Sequence, residues 1–322
     1  MKKHEKMLSI LLVIILSVNL ISFDICATSN DYYKKVNNNA LSLIRLNSKL
    51  LNETKEKTVE RILKTVDMPS SQIDLIPTDK YEDISNATSV EKYIEYVKIS
   101  ENDEETRISK NEFEKAVSKI DNSKSSNEVY SGSETDSYFI KTLYIYKTLH
   151  ADPGTYGIMS TFDWKNFTGT YRGKDILSLS GECLVFKKSS FSLAVQFTTA
   201  QLFNGTLTSG TETYYIDENS NSGDIIQSEN SIACKYTLPA NIPGVTYSYT
   251  YTDAIFLITC SARVQYFTLP CSFNVYSNYF HQRIFLTGSL SISITGANVS
   301  VSPNLSYWNK QITTTSQIVY EP

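Results

Sequence analysis

Hydrophobic and polar residues alternate along much of the second half of the chain. The clearest alternating runs are residues 138–146, 192–198, 247–251 and 263–267. Turn-forming pairs such as Asn204-Gly205 and Pro243-Gly244 separate these runs. Short strands at this spacing predict an antiparallel β-sandwich. Residues 254–260 are apolar at both odd and even positions, which predicts a central strand covered on both faces.

The longest alternating pattern lies at residues 284–307. Apolar residues alternate with hydroxyl residues as far as Gly296, where the phase reverses. Each arm has about the 9–11 residues of a transmembrane strand, so a membrane-inserting hairpin is one interpretation. The same pattern is typical of a half-buried hairpin in a soluble sandwich, and Pro303 interrupts one arm. We favour the soluble hairpin.

The first half of the chain has helical periodicity. Its clearest apolar stripe recurs at i, i+3, i+4 and i+7 and consists of Val59, Ile62, Leu63 and Val66. This helix should end before Pro69. A second helix is predicted over residues 31–51, and Ser70 and Thr78 are candidate caps of short helical turns. We therefore expect residues 28–117 to form a charged, mainly helical region.

Residues 101–112 have the spacing of a calcium-binding loop. The acidic groups at its ligand positions are Glu101, Asp103, Glu105 and Glu112. Thr106 occupies the position that needs glycine, which argues against calcium. We favour a strand over residues 92–99, an acidic turn, and a helix opened by Ser109 with Glu112 completing a capping box.

A polar linker separates the two halves. Residues 118–136 are almost entirely polar, as in a solvated linker. The boundary leaves a helical region at 28–117 and an antiparallel β-sandwich domain at 137–322. The predicted fold class is α+β, a small helical N-terminal region followed by an all-β sandwich.

The N-terminus resembles a cleavable signal peptide over residues 1–27. Lysines precede an apolar run at residues 8–21, and the small residue Ala27 follows it. The run is short for a membrane span. We expect a secreted protein that is extracellular or loosely associated with the cell surface.

The charge and composition of the chain limit the kinds of partner that we expect. The 322 residues carry a net charge of −4 without clustered lysine or arginine, so we expect no nucleic-acid partner. Residues 137–322 hold 16 of the 22 tyrosines, which favours strands.

Four cysteines remain after signal cleavage: Cys183, Cys234, Cys260 and Cys271. In an oxidising compartment they permit two disulfides in any of three connectivities. Buried free thiols are the alternative. There is no Cys-x-x-Cys pair, so we expect no metal and no cofactor.

One motif resembles a known group of proteins. Residues 163–175 read DWKNFTGTYRGKD, residues 96–98 read YVK, and residues 107–112 read RISKNE. This arrangement resembles a group of uncharacterised secreted Firmicutes proteins that have a Trp, an aromatic-Arg-Gly-x-Asp segment and a Ser/Thr-rich β tail. Many of them carry a proline where this chain has Thr168-Gly169. The resemblance covers residues 93–180 by motif; it implies export and a β fold, and no activity.

The same motif contains four candidate ligand-binding residues. Trp164 and Tyr171 offer aromatic faces, and Arg172 and Asp175 offer charged groups. Together they can stack on and hydrogen-bond a sugar or a peptide. The alternative, which we favour, is that they brace the β domain, with Arg172 and Asp175 as an ion pair.

No catalytic constellation stands out in the sequence. There is no Gly-x-Ser-x-Gly elbow, and spacing does not single out a pair of carboxylates. We expect a non-catalytic protein that binds an extracellular glycan, wall polymer or protein. One alternative is a secreted membrane-active protein that inserts the hairpin at 284–307, and a third is an unrecognised secreted hydrolase.

Overall fold

The computed structural model describes residues 32–37, 40–44, 53–100, 104–125, 137–148, 153–165, 174–203, 206–219, 225–237, 249–282, 291–302, 307–314 and 317–322. The helices are α1 Lys55–Thr65, α2 Ser70–Ile73, α3 Tyr81–Ser85 and α4 Lys110–Ser125. The first strands are β1 Tyr32–Asn37, β2 Ala40–Ile44, β3 Ala87–Ile99, β4 Glu105–Ile108, β5 Ser137–Thr148, β6 Thr155–Lys165, β7 Lys174–Gly181, β8 Leu184–Phe186, β9 Ser192–Phe203 and β10 Thr206–Asp217. The others are β11 Ile225–Ser228, β12 Ser231–Thr237, β13 Tyr249–Val264, β14 Cys271–Phe273, β15 Val275–Gln282, β16 Ser291–Thr295, β17 Asn298–Ser302, β18 Tyr307–Thr313 and β19 Ile318–Tyr320.

Two antiparallel sheets pack face to face. The large sheet has the order β1-β2-β3-β5-β6-β13-β9-β10, with β4 beside β3 and β8 beside β13. The small sheet has the order β11-β12-β7-β15-β18. Alternate residues of both sheets point inward and form one core, which includes Phe139, Phe162, Leu177, Phe256 and Tyr279. This architecture confirms the predicted α+β class with an antiparallel sandwich.

The outer faces of both sheets are also covered. Apolar residues of α1 share a cluster with Leu257 of β13 and Tyr144 of β5, on the outer face of the large sheet. Strand β13 therefore has both faces buried, as residues 254–260 predicted. On the small sheet, Val301 of β17 lies in a cluster with Ile176 and Phe280.

The predicted amphipathic helix is α1. Its stripe is buried, and the Thr54 hydroxyl accepts a hydrogen bond from the backbone N–H of Lys57 at 3.4 Å. At the C-terminal end, the ammonium group of Lys92 donates to the carbonyls of Val66 (2.8 Å) and Asp67 (3.0 Å). A cation at this end satisfies carbonyls that no helical N–H can reach.

The predicted helix at residues 31–51 is wrong. Strands β1 and β2 occupy residues 32–37 and 40–44, and β2 pairs with β3. Helical spacing over so short a stretch is a weak preference, which pairing with the edge of a sheet overrides. The region before residue 118 therefore contains strands as well as helices.

The helical turns after Pro69 and Pro77 form as predicted, but the caps differ. Ser70 and Thr78 are the first helical residues, and the prolines occupy the cap positions with extended backbone angles. Proline fixes φ near −60° at both positions, and neither turn has a side-chain cap hydrogen bond.

The capping box of α4 is confirmed. The Ser109 N–H donates to the Glu112 carboxylate at 2.8 Å, and the Glu112 N–H donates to the Ser109 hydroxyl at 3.2 Å. Glu105, also in the candidate calcium loop, instead forms ion pairs with Lys141 (3.1 Å) and Lys310. Glu101 and Asp103 lie outside the described residues.

The polar linker proposed at residues 118–136 remains a prediction. Helix α4 continues to Ser125, and residues 126–136 lie outside the described part of the chain, as does the signal segment at 1–27. Strands β3 and β5, on either side of the proposed boundary, pair along their whole length in one sheet. The strands before residue 118 therefore belong to the same large sheet as strands from residues 137–322.

Two strand predictions near the C-terminus have different outcomes. The predicted strand at residues 263–267 is right for Arg263 and Val264 and wrong beyond them, because β13 ends at Val264 and a turn follows. The predicted reversal at Gly296 is confirmed: this glycine has φ +58° between β16 and β17. Residues 283–290 and 303–306 of the long hairpin lie outside the described residues.

Candidate functional site

A buried polar network lies at one end of the sandwich. Asp175, near the start of β7, is fully buried, and its carboxylate accepts a hydrogen bond from the Tyr279 hydroxyl at 2.9 Å. Nδ1 of His281 lies 2.8 Å from the other carboxylate oxygen of Asp175. Burial and the nearby Asp175 charge raise the pKa of Tyr279 well above its ordinary value, so this hydroxyl remains a donor.

Trp164 packs against this network from the large sheet. Its ring centroid lies 4.5 Å from that of Phe139 and 6.1 Å from that of His281. Only 4% of Trp164 is exposed. The end of β6 is thereby joined to β15 of the small sheet through aromatic contacts.

On the opposite face of β6, Asp163 is buried under α2. Its carboxylate accepts from the Gln72 side chain at 3.4 Å and pairs with Lys165 at 3.1 Å. Burial raises the pKa of Asp163, and the Lys165 charge opposes that effect. Asp163 and Trp164 are consecutive residues of β6. Asp163 therefore connects the large sheet to helix α2, and Trp164 connects it to the small sheet.

The structure brings two of the four motif residues together. Trp164 and Asp175 meet through Tyr279 and His281, whereas Tyr171 and Arg172 lie outside the described residues. A His–Asp pair is the base half of many hydrolytic sites. Here the pair packs beneath Trp164, and its described contacts brace the end of the sandwich. Ligand binding by the four residues remains a prediction.

The cysteines fall into two kinds. Cys234 and Cys260 are buried, and burial raises the pKa of Cys260 to about 11. Cys183 and Cys271 are partly exposed and carry unbonded thiols. Burial, the nearby Cys183 thiol and a hydrogen bond with it raise the pKa of Cys271.

An exposed apolar turn lies between β13 and β14, with β19 beside it. We call it the aromatic turn and define it as Tyr266, Phe267 and Leu269 together with Val319 of β19. Their exposed fractions are 57%, 37%, 62% and 60%. The Tyr320 hydroxyl donates to the Phe267 carbonyl at 2.9 Å, and the Arg263 guanidinium lies 5.3 Å from the Phe267 ring centroid.

Sequence reasoning missed the aromatic turn. Its residues continue the alternation of β13, so they read as a strand with one buried face. The available signal was Pro270, which cannot donate to a sheet and which follows the apolar residues directly. Gathered exposed apolar side chains mark interaction sites more often than scattered ones do.

Within the described ranges, no three His, Cys, Asp or Glu side chains are grouped as metal ligands. None of the helices in the described part of the chain has both the length and the apolar character needed to cross a bilayer.

Comparisons with known proteins give distant structural similarity only. No family model and no curated protein sequence matches the chain. The collagen-binding domain of a Staphylococcus aureus adhesin is 15% identical; the match covers 48% of this chain and 86% of that one, with TM-score 0.24. The collagen-binding subdomain of the Enterococcus faecalis surface protein ACE is 13% identical, covering 52% and 90%, with TM-score 0.23.

A third similar structure is the pilus backbone RrgB from Streptococcus pneumoniae. It is 15% identical, and the match covers 41% of this chain and 26% of that chain, with TM-score 0.25. The chain therefore spans about a quarter of the length of that protein. At these identities and TM-scores the similarities carry no argument about what this chain binds or does.

Proposed function

We propose that this chain is a secreted, non-catalytic binding protein that acts at or outside the cell envelope, and that the aromatic turn is its contact surface. The observation that carries the proposal is the gathering of large exposed apolar side chains on one turn and the strand beside it. The two described residues of the predicted site, Trp164 and Asp175, by contrast lie in the interior of the sandwich. Secretion is supported by the signal-like segment at residues 1–27.

The chemistry of the aromatic turn suits a glycan, a wall polymer or a protein. Tyr266 and Phe267 provide flat apolar faces, and Tyr266 adds a hydroxyl that can exchange hydrogen bonds. Arg263 places a positive charge beside Phe267. Tyrosine, phenylalanine and arginine are enriched in interface cores, where a few anchors supply most of the binding free energy.

A binding panel with matched variants tests this proposal. The probes are purified peptidoglycan, a glycan array, collagen and an extract of envelope proteins. Tyr266→Ser and Leu269→Ser should each weaken binding to the recognised probe about tenfold or more, as expected for anchor residues. The control is Tyr215→Ser, which removes a side chain that is 54% exposed on the edge strand β10.

Two results would overturn the proposal. In the first, the wild-type chain binds none of the probes; in the second, the two aromatic-turn variants bind as tightly as Tyr215→Ser. Rapid dye release from phosphatidylcholine vesicles would instead favour the membrane-active alternative. Turnover of a hydrolase substrate panel that is lost in His281→Gln would favour the hydrolase.

A further inference from the structure

Cys183 and Cys271 lie on two separate elements that converge at the aromatic turn. Cys183 lies between β7 and β8, and Cys271 is the first residue of β14. Both pack against the core between the sheets while staying partly exposed. The other two thiols are directed at backbone carbonyls: Cys234 at that of Lys235 (3.4 Å) and Cys260 at that of Lys187 (3.4 Å).

Backbone hydrogen bonds fix each of the two cysteines to an element beside the aromatic turn. The Gln265 N–H donates to the Cys183 carbonyl at 2.8 Å, directly after Val264, which is paired with Leu184. Cys271 is paired with Tyr320 of β19. Tyr320 and Val264 both lie beside Gly154, where an added Cβ would be 3.3 Å from the Tyr320 ring and 3.4 Å from Val264.

We propose that Cys183 and Cys271 form a disulfide bond that closes the base of the aromatic turn. The two thiols lose two protons and two electrons as the S–S bond forms. A disulfide oxidant, such as oxidised glutathione or a thiol–disulfide oxidoreductase, accepts the electrons and is reduced to two thiols. Both ends of the segment 265–271 are then attached to one residue, since Gln265 is hydrogen-bonded to Cys183 and Cys271 is bonded to its sulfur.

The backbone at Cys183 is consistent with a specific role for its side chain. Its φ is +58°, in the left-handed region where glycine is favoured and other residues are strained. A cross-link at this position fixes the turn before a partner arrives, which lowers the entropy cost of binding. This last consequence rests on the proposed function, whereas formation of the bond does not.

Peptide mapping tests the bond directly. The full chain is equilibrated with a mixture of oxidised and reduced glutathione, digested without reduction and analysed by mass spectrometry. We expect one peptide pair that joins Cys183 to Cys271, and alkylation of Cys234 and Cys260 only after denaturation. Two free thiols at 183 and 271, or either one joined to another cysteine, would overturn the proposal.

Limited chymotrypsin digestion tests the constraint on the turn. Cleavage after Tyr266 and Phe267 should speed up about tenfold when dithiothreitol is added to the oxidised wild-type protein, because the open turn reaches the protease more readily. Cys271→Ser should be cleaved fast with or without the reductant. Cys234→Ala, the matched control, should keep the wild-type response.

The digestion also separates this inference from the proposed function. Leu269→Ser retains all the cysteines, so it should lose binding and keep the response to dithiothreitol. Equal cleavage rates of the wild-type protein with and without dithiothreitol would refute the constraint, whatever the binding panel gives.

Discussion

Nδ1 of His281 lies 2.8 Å from Oδ1 of Asp175, a carboxylate that is buried between two sheets. The two residues come from neighbouring strands, β7 and β15, whose antiparallel pairing places Phe280 opposite Ile176. A buried carboxylate is stable only when its oxygens are hydrogen-bonded, so its partners should matter more than typical surface contacts.

Tyr279→Phe tests this requirement. The substitution removes the hydroxyl that donates to Asp175 at 2.9 Å and changes little else in shape. We expect the free energy of unfolding to fall by about 2 kcal/mol, as for loss of a buried hydrogen bond to a charged group. Urea denaturation followed by fluorescence measures the change.

The control for this experiment is Tyr276→Phe. Tyr276 lies on the same strand and is partly exposed, so its loss of a hydroxyl should change stability by less than about 0.5 kcal/mol. Equal effects of the two variants would show that Asp175 does not depend on Tyr279.

Gly157→Ala should be strongly destabilising. Gly157 lies opposite Tyr146 across the β5–β6 pair, and an added Cβ would meet the Tyr146 ring at 1.9 Å. The ring is buried and cannot move aside freely, so we expect a loss of roughly 3 kcal/mol from overpacking. Thermal unfolding gives the measurement.

The same clash predicts non-additivity at this pair. In a Tyr146→Ala background the ring is absent, so Gly157→Ala should then cost much less than in the wild-type protein. A cost that is the same in both backgrounds would mean that the ring does not restrict residue 157.

Glu105→Gln should lower the free energy of unfolding by weakening ion pairs between the two sheets. The ammonium of Lys141 lies 3.1 Å from Glu105 and 2.8 Å from Glu95, and Lys310 of the small sheet also pairs with Glu105. Because both lysines are buried, the substitution removes a negative charge that balances buried positive charge. We expect unfolding at pH 7 to become easier by about 3 kcal/mol.

The pH dependence of this effect has a definite sign. Burial alone would raise the pKa of Glu105, but the hydrogen bonds and charges of Lys310 and Lys141 lower it below 4.5 overall. Its stabilisation is therefore complete above pH 4.5 and is lost as pH falls through the lowered value. The difference between wild type and Glu105→Gln should shrink in acid, while the exposed neighbour Glu104→Gln should follow the wild type at every pH.

We expect Lys92 to make the free energy of unfolding depend on pH in the alkaline range. Burial lowers the pKa of Lys92 from 10.5 to about 8. Between these values the unfolded chain binds a proton that the folded chain has released, so the free energy of unfolding should rise with pH. Lys92→Met lacks this term, and denaturation of both proteins from pH 7.5 to 10 isolates it because the tyrosines and cysteines are common to both.

Two effects are thus combined in Lys92→Met. At pH 7 the variant loses the bonds to the Val66 and Asp67 carbonyls, and it also escapes the cost of burying a charge. Only the slope with pH is diagnostic. Parallel curves for the two proteins would contradict the lowered pKa.

Local patterns in the sequence were sufficient for elements that depend on their own residues. The stripe of α1 and the capping box of Ser109 with Glu112 are set by spacings of three and four positions, and both form as predicted. The same logic failed at residues 31–51 and 265–267. There, pairing with β3 and the end of β13 are decided by distant parts of the chain.

The candidate site was only partly predictable for the same reason. Trp164 and Asp175 were singled out by a local motif, but their meeting point needs Tyr279 and His281, more than a hundred residues further on. The register of β7 against β15 brings them together, and no short spacing encodes that register.

The position of β13 sets the order in which this chain can fold. Tyr249–Val264 lies between β6 and β9 in the middle of the large sheet, although it is the last strand of that sheet to be synthesised. Until it emerges, β6 and β9 have no neighbour on one side, and α1 lacks the surface that it covers. A chain synthesised from its N-terminus therefore keeps the edges of β6 and β9 unpaired, and prone to aggregation, until its central strand is available.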